Sequence, residues 1–375
     1  MERYLKAKIL EDLGKKLLIV SGPRQVGKTT LAQALTKNFE YLNYDNLEDR
    51  RRMLLGHFDS KMQLLILDEI HKMKKWKSWL KGLYDTHTIP QTIVTGSAKL
   101  NTFRRVGDSM AGRYFHYQLF PFDIKELVQQ GKASKPNVIL DNLLRLSGFP
   151  EPYLSKSEPF YKRWRQTHLD VVLRQDLVEI SSVRHISQMM TLVELMRERA
   201  GQLFSYSSLR EDLQSDDKSI KSWMNLLEEA YILFKITPFS KKIKNTLSKT
   251  PKYYFFDIPR VRDEGARFEN LVALSLLKEV AYRRECLGQE LSLHYLRNLN
   301  KQEVDFVICD DQKPKMLIEC KLSDDTISSS LKTFRKVLGE KLIYLQLVKS
   351  LKRPYTNPEG IRVESAADWL ATMEI

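Results

Sequence analysis

"SGPRQVGKTTLAQAL", residues 21–35, follows directly on the apolar run Leu17–Val20. Gly22, Gly27, Lys28 and Thr29 stand in the spacing G-x-x-x-x-G-K-[ST]. The apolar run reads as a buried parallel strand and "KTTLAQAL" as the opening of a helix. Between them the glycines let the backbone wrap a phosphate, so that several N–H groups and the helix N-terminus point inward. The loop Gly22, Pro23, Arg24, Gln25, Val26, Gly27, Lys28, Thr29 and Thr30 is therefore expected to hold the phosphates of ATP. Lys28 would reach the β- and γ-phosphates, and the Thr29 hydroxyl would complete the coordination of Mg²⁺.

The surrounding chain bounds the possibilities. At 375 residues it exceeds one ordinary core, so two or three domains are expected. Charged residues make up 29%, as in a soluble globular protein. No apolar run approaches the roughly 18 residues of a membrane span. The amphipathic start "MERYLKAKILEDLGKK" lacks the apolar core of a signal peptide. Cys286, Cys309 and Cys320 show neither disulfide nor zinc spacing, which points to a reducing cytoplasm. Lys and Arg number 61 against 47 Asp and Glu, a formal net charge of +14. Such a charge favours a polyanion partner, because phosphate contacts release counterions.

A second strand, "LLILDEIHK", ends in Asp68 and Glu69, at the strand edge where α/β proteins bind ligands. Asp68 would hold Mg²⁺ through water, and Glu69 would orient or deprotonate the attacking water. A third, "QTIVTGSAKL", ends in Thr95 and Ser97, placed to sense the γ-phosphate or the lytic water. In "FRRVGDSMAGRYFHYQLFPF", Arg104, Arg105 and Arg113 are candidates for an arginine finger, with Arg113 favoured. A finger acting in trans would require a homo-oligomer. "MKKWKSWLKGL" places Met73, Trp76, Leu80 and Leu83 at helical spacing and reads as a core-facing helix.

The motifs "GPRQVGKTTLAQAL", "YLNYDN", "LLILDEIHK", "WLKGLYD", "TIVTGSAKL" and "AGRYFHYQLFPFDIKEL" occur in the order of a widespread prokaryotic family. The chain resembles these AAA-type P-loop ATPases, whose members carry a nuclease-like C-terminal domain. Many relatives continue the third strand as "TGSS"; the "TGSAKL" of this chain keeps Ser97.

Residues 188–258 read as a winged helix-turn-helix, with Ile220, Trp223, Leu227 and Ala230 on the buried face of its third helix. Residues 231–260 carry seven Lys or Arg against one Asp. Phosphate contact through this wing and a purely protein-docking role both fit.

The C-terminal stretch runs helix, three strands, helix, strand. Glu319 and Lys321 in "KMLIECKL" share one strand face, and "EVDFVICD" can present Asp305 beside them. Two carboxylates suit Mg²⁺, and the lysine can hold the attacking water or steady the developing phosphorane charge. This arrangement resembles the PD-(D/E)xK nucleases, although Val304 stands where the motif's proline would be. The resemblance makes Glu269, on the preceding helix, an additional metal ligand.

The expected organisation is a multidomain α/β chain. It comprises an AAA-type P-loop ATPase core (1–125), a helical lid or connector (126–187), a winged helix (188–260) and a restriction-endonuclease-like α/β domain (261–375). DNA is the expected partner, with no membrane association. The function expected is ATP binding and hydrolysis by a protein acting on DNA, with a Mg²⁺-dependent nuclease-like C-terminal domain. The alternative is an ATP switch whose C-terminal domain only binds DNA or a protein.

Overall fold

The computed structural model describes residues 1–96, 110–131, 135–176, 186–240, 250–373 and 375. Ser97, Arg104, Arg105 and most of the lysine-rich wing therefore lie outside the described residues. Two compact units form. One comprises Met1–Pro121, Thr167–Arg184 and Glu229–Tyr231; the other comprises Phe122–Gln166, His185–Glu228 and Ile232–Ile375.

The first unit is built on a wholly parallel sheet. Its strands are β1 (Leu17–Ser21), β2 (Phe39–Asn43), β3 (Leu64–Asp68), β4 (Gln91–Gly96) and β5 (Tyr114–Gln118), in the order β2-β3-β4-β1-β5. β1 and β3 are buried at every residue, which is why each reads as an unbroken apolar run rather than an alternation. Trp76 and Leu80, on the helix Trp76–Asp85, join Met73, Leu65 and Leu67 in one apolar cluster. From Trp76 onward "MKKWKSWLKGL" is a helix with Trp76 and Leu80 in the core, as its spacing predicts, whereas Leu83 is only partly buried. Because all five strands run the same way, their carboxyl ends share one edge. Ser21 is registered with Gly96 there, and Asp68 with Thr95.

The second unit contains an eight-stranded mixed sheet in the order β12-β13-β11-β10-β9-β8-β6-β7. The strands are β6 (Leu233–Pro238), β7 (Lys252–Phe255), β8 (Leu291–Arg297), β9 (Glu303–Asp310), β10 (Lys313–Lys321), β11 (Ile343–Val348), β12 (Tyr355–Thr356) and β13 (Arg362–Ser365). The helix Glu264–Leu287 is capped by the Asp263 carboxylate, which accepts from the Ala266 N–H, and ends at Gly288 in the left-handed conformation. Val304, Val307 and Leu317 of β9 and β10 pack with Leu331 and Phe334 of the helix Ser329–Leu338.

Two expected boundaries are crossed by contacts. Lys278 Nζ, buried, donates to Asp123 Oδ1 at 2.9 Å and to Glu126 Oε2 at 2.6 Å, tying the start of the segment after Pro121 to the helix Glu264–Leu287. The expected winged-helix boundary at 260 also cuts through a sheet. β6 and β7 pair antiparallel, and β6 continues in parallel pairing with β8, Thr237 opposite His294. Ile220, Trp223, Leu227 and Ala230 are buried as expected. The described cations of the wing are engaged within the fold: Lys235 with Glu228, Arg260 with Asp257, and Lys252 with Glu303. Among the described residues, no helix is long and apolar enough to cross a membrane.

Candidate functional site

Gly22 opens the loop after β1 with φ +152°, and a Cβ there would lie 2.3 Å from the Leu119 carbonyl oxygen. Only glycine fits between the two strand ends. Gly27, at φ +96°, starts the helix Lys28–Gln33 in the left-handed region. Lys28 is buried and folds back over the loop, donating to the Gly22 oxygen at 3.0 Å and the Pro23 oxygen at 2.7 Å. The loop thus holds a positive charge on neutral carbonyl acceptors. A phosphate oxygen is a stronger acceptor than a carbonyl, so this cradle fits a nucleotide phosphate. Val26 is buried, whereas Gln25 and Thr30 are exposed on the loop and the first helical turn. The Arg24 carbonyl oxygen lies 3.3 Å from His168 Nε2.

Strand pairing gathers four hydrogen bonds on Asp68. Its Oδ2 accepts from Thr29 Oγ1 at 2.7 Å and from the Tyr41 hydroxyl at 3.0 Å. Its Oδ1 accepts from Thr95 Oγ1 at 2.7 Å and from the Glu69 N–H at 3.1 Å. Thr29 and Asp68, which the sequence places 39 residues apart, are therefore already adjacent. The burial of Tyr41, followed by the nearby Asp68 charge, pushes its phenol well above its ordinary range and keeps it a donor. Thr95, expected to sense the γ-phosphate, is instead a donor to Asp68. Glu69 adopts φ +55°, a left-handed conformation that costs about 1–3 kcal/mol for a side-chain-bearing residue. The Glu69 N–H also lies 3.1 Å from the Thr95 oxygen, which helps hold that backbone. Its Oε2 lies 3.4 Å from Nε2 of buried His71.

Arg113, the favoured finger, lies away from the glycine loop of its own chain. It immediately precedes β5, and its carbonyl accepts from the Leu17 N–H at the first residue of β1. It therefore sits at the opposite end of the sheet from Ser21, about 13 Å along the strand at roughly 3.3 Å per residue. Its guanidinium is bidentate on Asp85, at 2.6 and 3.1 Å. A finger for phosphates bound on the same chain cannot start there. With no contact between chains, Arg113→Ala is expected to leave kcat for ATP within about twofold of wild type, since a group remote from the transition state does not alter it; a large loss would mark a finger acting in trans. A steady-state ATPase assay checks this.

Arg3 was not singled out in the sequence, because nothing near it in the chain marks its role. Buried, it donates from Nη1 to the Val26 oxygen at 2.6 Å and from Nη2 to the Phe120 oxygen at 2.5 Å. It braces the loop from beneath. Arg3→Met leaves two buried carbonyls without charged donors. A loss of about 2–4 kcal/mol in stability is expected, given roughly 1.5–3 kcal/mol for a hydrogen bond to a charged group. Denaturant unfolding with and without nucleotide measures it. Ser21 is likewise pinned: its Oγ accepts from the Tyr231 hydroxyl at 3.0 Å and lies 2.8 Å from His116 Nε2.

The second constellation lies on β9 and β10. Ile318 opposes Phe306, and Glu319 and Asp305 are the residues next to that last registered pair. Asp305 Oδ2 accepts from the Cys320 N–H at 2.8 Å. Lys321 Nζ is 2.9 Å from Glu319 Oε1, on the shared strand face. Glu319 is buried, and its Oε2 has no hydrogen-bond partner. Burial, then the Asp305 charge, raises the Glu319 carboxyl to about 7. The same causes raise Glu269 to about 7, and burial raises Asp305. An orphaned, desolvated carboxylate oxygen beside a second carboxylate fits a hard divalent cation. Glu269 stands differently: its Oε1 accepts from the Tyr254 hydroxyl at 2.7 Å and pairs with Lys252 at 3.3 Å. Lys252, like Arg3, escaped sequence reading.

Residues 14–128 match a family model described as an AAA domain. Residues 138–259 and 264–358 each match a model described as a domain of unknown function. An uncharacterized protein of Methanocaldococcus jannaschii is 24% identical over 91% of this chain and 84% of its own length. An uncharacterized protein of Haemophilus influenzae is 21% identical over 98% of each chain. Among solved structures, a Walker-type ATPase of Pyrococcus abyssi aligns over 69% of this chain and 94% of its own, at 15% identity and a TM-score of 0.44. The AAA-domain match supports placing the N-terminal part of this chain among the P-loop ATPases, proteins that bind nucleotide.

Proposed function

We propose that the protein hydrolyses MgATP at the Gly22–Thr30 loop and that its C-terminal domain cuts DNA phosphodiesters in a Mg²⁺-dependent reaction. In the first site Lys28 and the loop N–H groups hold the phosphates. Thr29 and Asp68 hold the metal, and Glu69 accepts the proton of the attacking water at its carboxylate. The support for this reading is the Thr29–Asp68 contact, 2.7 Å, at the mouth of the glycine loop.

In the second site Asp305 and Glu319 would hold the cation, which supplies Lewis-acid polarisation when bound. Lys321 orients water or donates to the charged phosphoryl oxygens. The observation that carries this reading is the buried Glu319 Oε2, which has no hydrogen-bond partner, on the strand next to that of Asp305. The net charge of +14 favours a nucleic-acid substrate. Residues 188–260 read as a winged helix, for which phosphate contact and protein docking both fit; among the described residues its cations Lys235, Lys252 and Arg260 are in ion pairs.

The test is cleavage of linear, circular and single-stranded DNA with Mg²⁺ or Mn²⁺, with and without ATP. Cutting that needs the metal supports the nuclease. ATP turnover with no cutting under any condition would instead make the protein a nucleotide switch.

A further inference from the structure

The acid cluster of the second unit already contains a cation of its own. Lys252, on β7, is only 3% exposed. Its Nζ lies 2.7 Å from Glu303 Oε1, 3.3 Å from Glu269 Oε1 and 3.9 Å from Asp305 Oδ1. Its side chain also approaches the Tyr295 ring, with Nζ 5.7 Å from the centroid. The acids are held to it from other sides. Tyr254 donates to the same Glu269 oxygen, and Arg297 Nη1 donates to Glu303 Oε2 at 3.3 Å. Gly201 leaves room for this arrangement: at φ +72°, a Cβ there would lie 3.0 Å from Glu269 Oε1.

What remains for a metal is narrow. One Asp305 oxygen is taken by the Cys320 N–H, and one Glu319 oxygen by Lys321. The other Glu319 oxygen is buried without a hydrogen-bond partner. Among the described residues, no group of three or more His, Cys, Asp or Glu side chains is gathered so that it could hold a metal.

We infer that Lys252 is a built-in cation standing where a second divalent ion would otherwise bind, so that the site takes a single metal ion on Asp305 and Glu319. Glu269 is then the counter-ion of Lys252 and not a metal ligand. Lys252 is a positioning residue: it fixes Glu303 and Glu269 and faces the Asp305 oxygen that Cys320 leaves open. The inference rests on the metal-site reading proposed above.

The experiment counts Mn²⁺ bound to the full chain without nucleotide, from the paramagnetic signal of the free ion. The relevant sites are those lost in Glu319→Gln. A single equivalent is expected in the wild type. Glu269→Gln keeps an oxygen to accept from Lys252 and Tyr254, and is expected to change the affinity by less than the roughly tenfold that loss of even an outer-shell partner costs. Lys252→Gln is expected to admit a second equivalent; because that variant removes a buried charge, Glu269→Gln decides the matter if it does not fold. Two equivalents in the wild type, or a tenfold or greater loss in Glu269→Gln, overturns the single-ion inference and leaves the metal site standing. Binding that Glu319→Gln does not touch overturns the metal site itself, and the inference with it.

Discussion

Lys28→Ala is expected to abolish ATP turnover. Lys28 is the charge that the loop keeps on its own Gly22 and Pro23 carbonyls, and nothing else on the loop replaces an ammonium there. In hydrolysis the negative charge spreads over the transferred phosphoryl oxygens, so the lysine acts most strongly in the transition state. Loss of one such donor typically costs about 10²–10³-fold in kcat. The variant releases two buried carbonyls, so folding is checked alongside activity. Phosphate release under saturating MgATP, with a melting curve to confirm folding, makes the measurement. Normal turnover in this variant would remove the ATPase assignment. Thr29→Ala and Asp68→Asn should weaken turnover through Mg²⁺, and the two should be strongly non-additive, because one hydrogen bond joins them.

Lys321→Ala is expected to remove metal-dependent DNA cleavage, by about 10²–10³-fold if the lysine serves as a donor to developing phosphoryl charge. Its Nζ is fixed by Glu319 Oε1, on an exposed enough part of β10 to meet a substrate. Asp305→Asn should give a similar loss, but by a different route. It leaves the Cys320 N–H an acceptor while removing one negative charge from the metal pair. The two variants separate on metal titration: higher Mn²⁺ should partly rescue Asp305→Asn and leave Lys321→Ala unchanged. If the wild type cuts and Lys321→Ala cuts equally well, the activity belongs to a contaminant or to another site.

These two sites were legible in the sequence to different depths. The glycine loop is contiguous, and its spacing alone dictates the turn, the buried strand before it and the helix after it. Asp68 and Glu69 were legible because a fully buried parallel strand must end where its apolar run ends, and an acid pair there faces the ligand edge. Glu319 and Lys321 follow from the two-residue period of one strand. In each case the information lies within a few neighbouring residues, and local backbone geometry is enough to read it.

Tertiary structure decided the rest. Strand order sends Arg113 to the far end of the sheet from the glycine loop, which no feature of "AGRY" could disclose. Arg3 reaches Val26 and Phe120 from positions 23 and 117 residues away, so its role appears only when the chain has folded around it. Lys252 belongs in sequence to the basic wing, yet β6 continues into the C-terminal sheet and the lysine meets carboxylates from the helix Glu264–Leu287 and from β9. A buried charge is defined by what closes over it. Its partners come from whichever elements the topology brings to that point. The sequence by itself determined which groups could do chemistry in this protein, and only the folded sheet determined which of them are already neutralised and which remain open to a ligand.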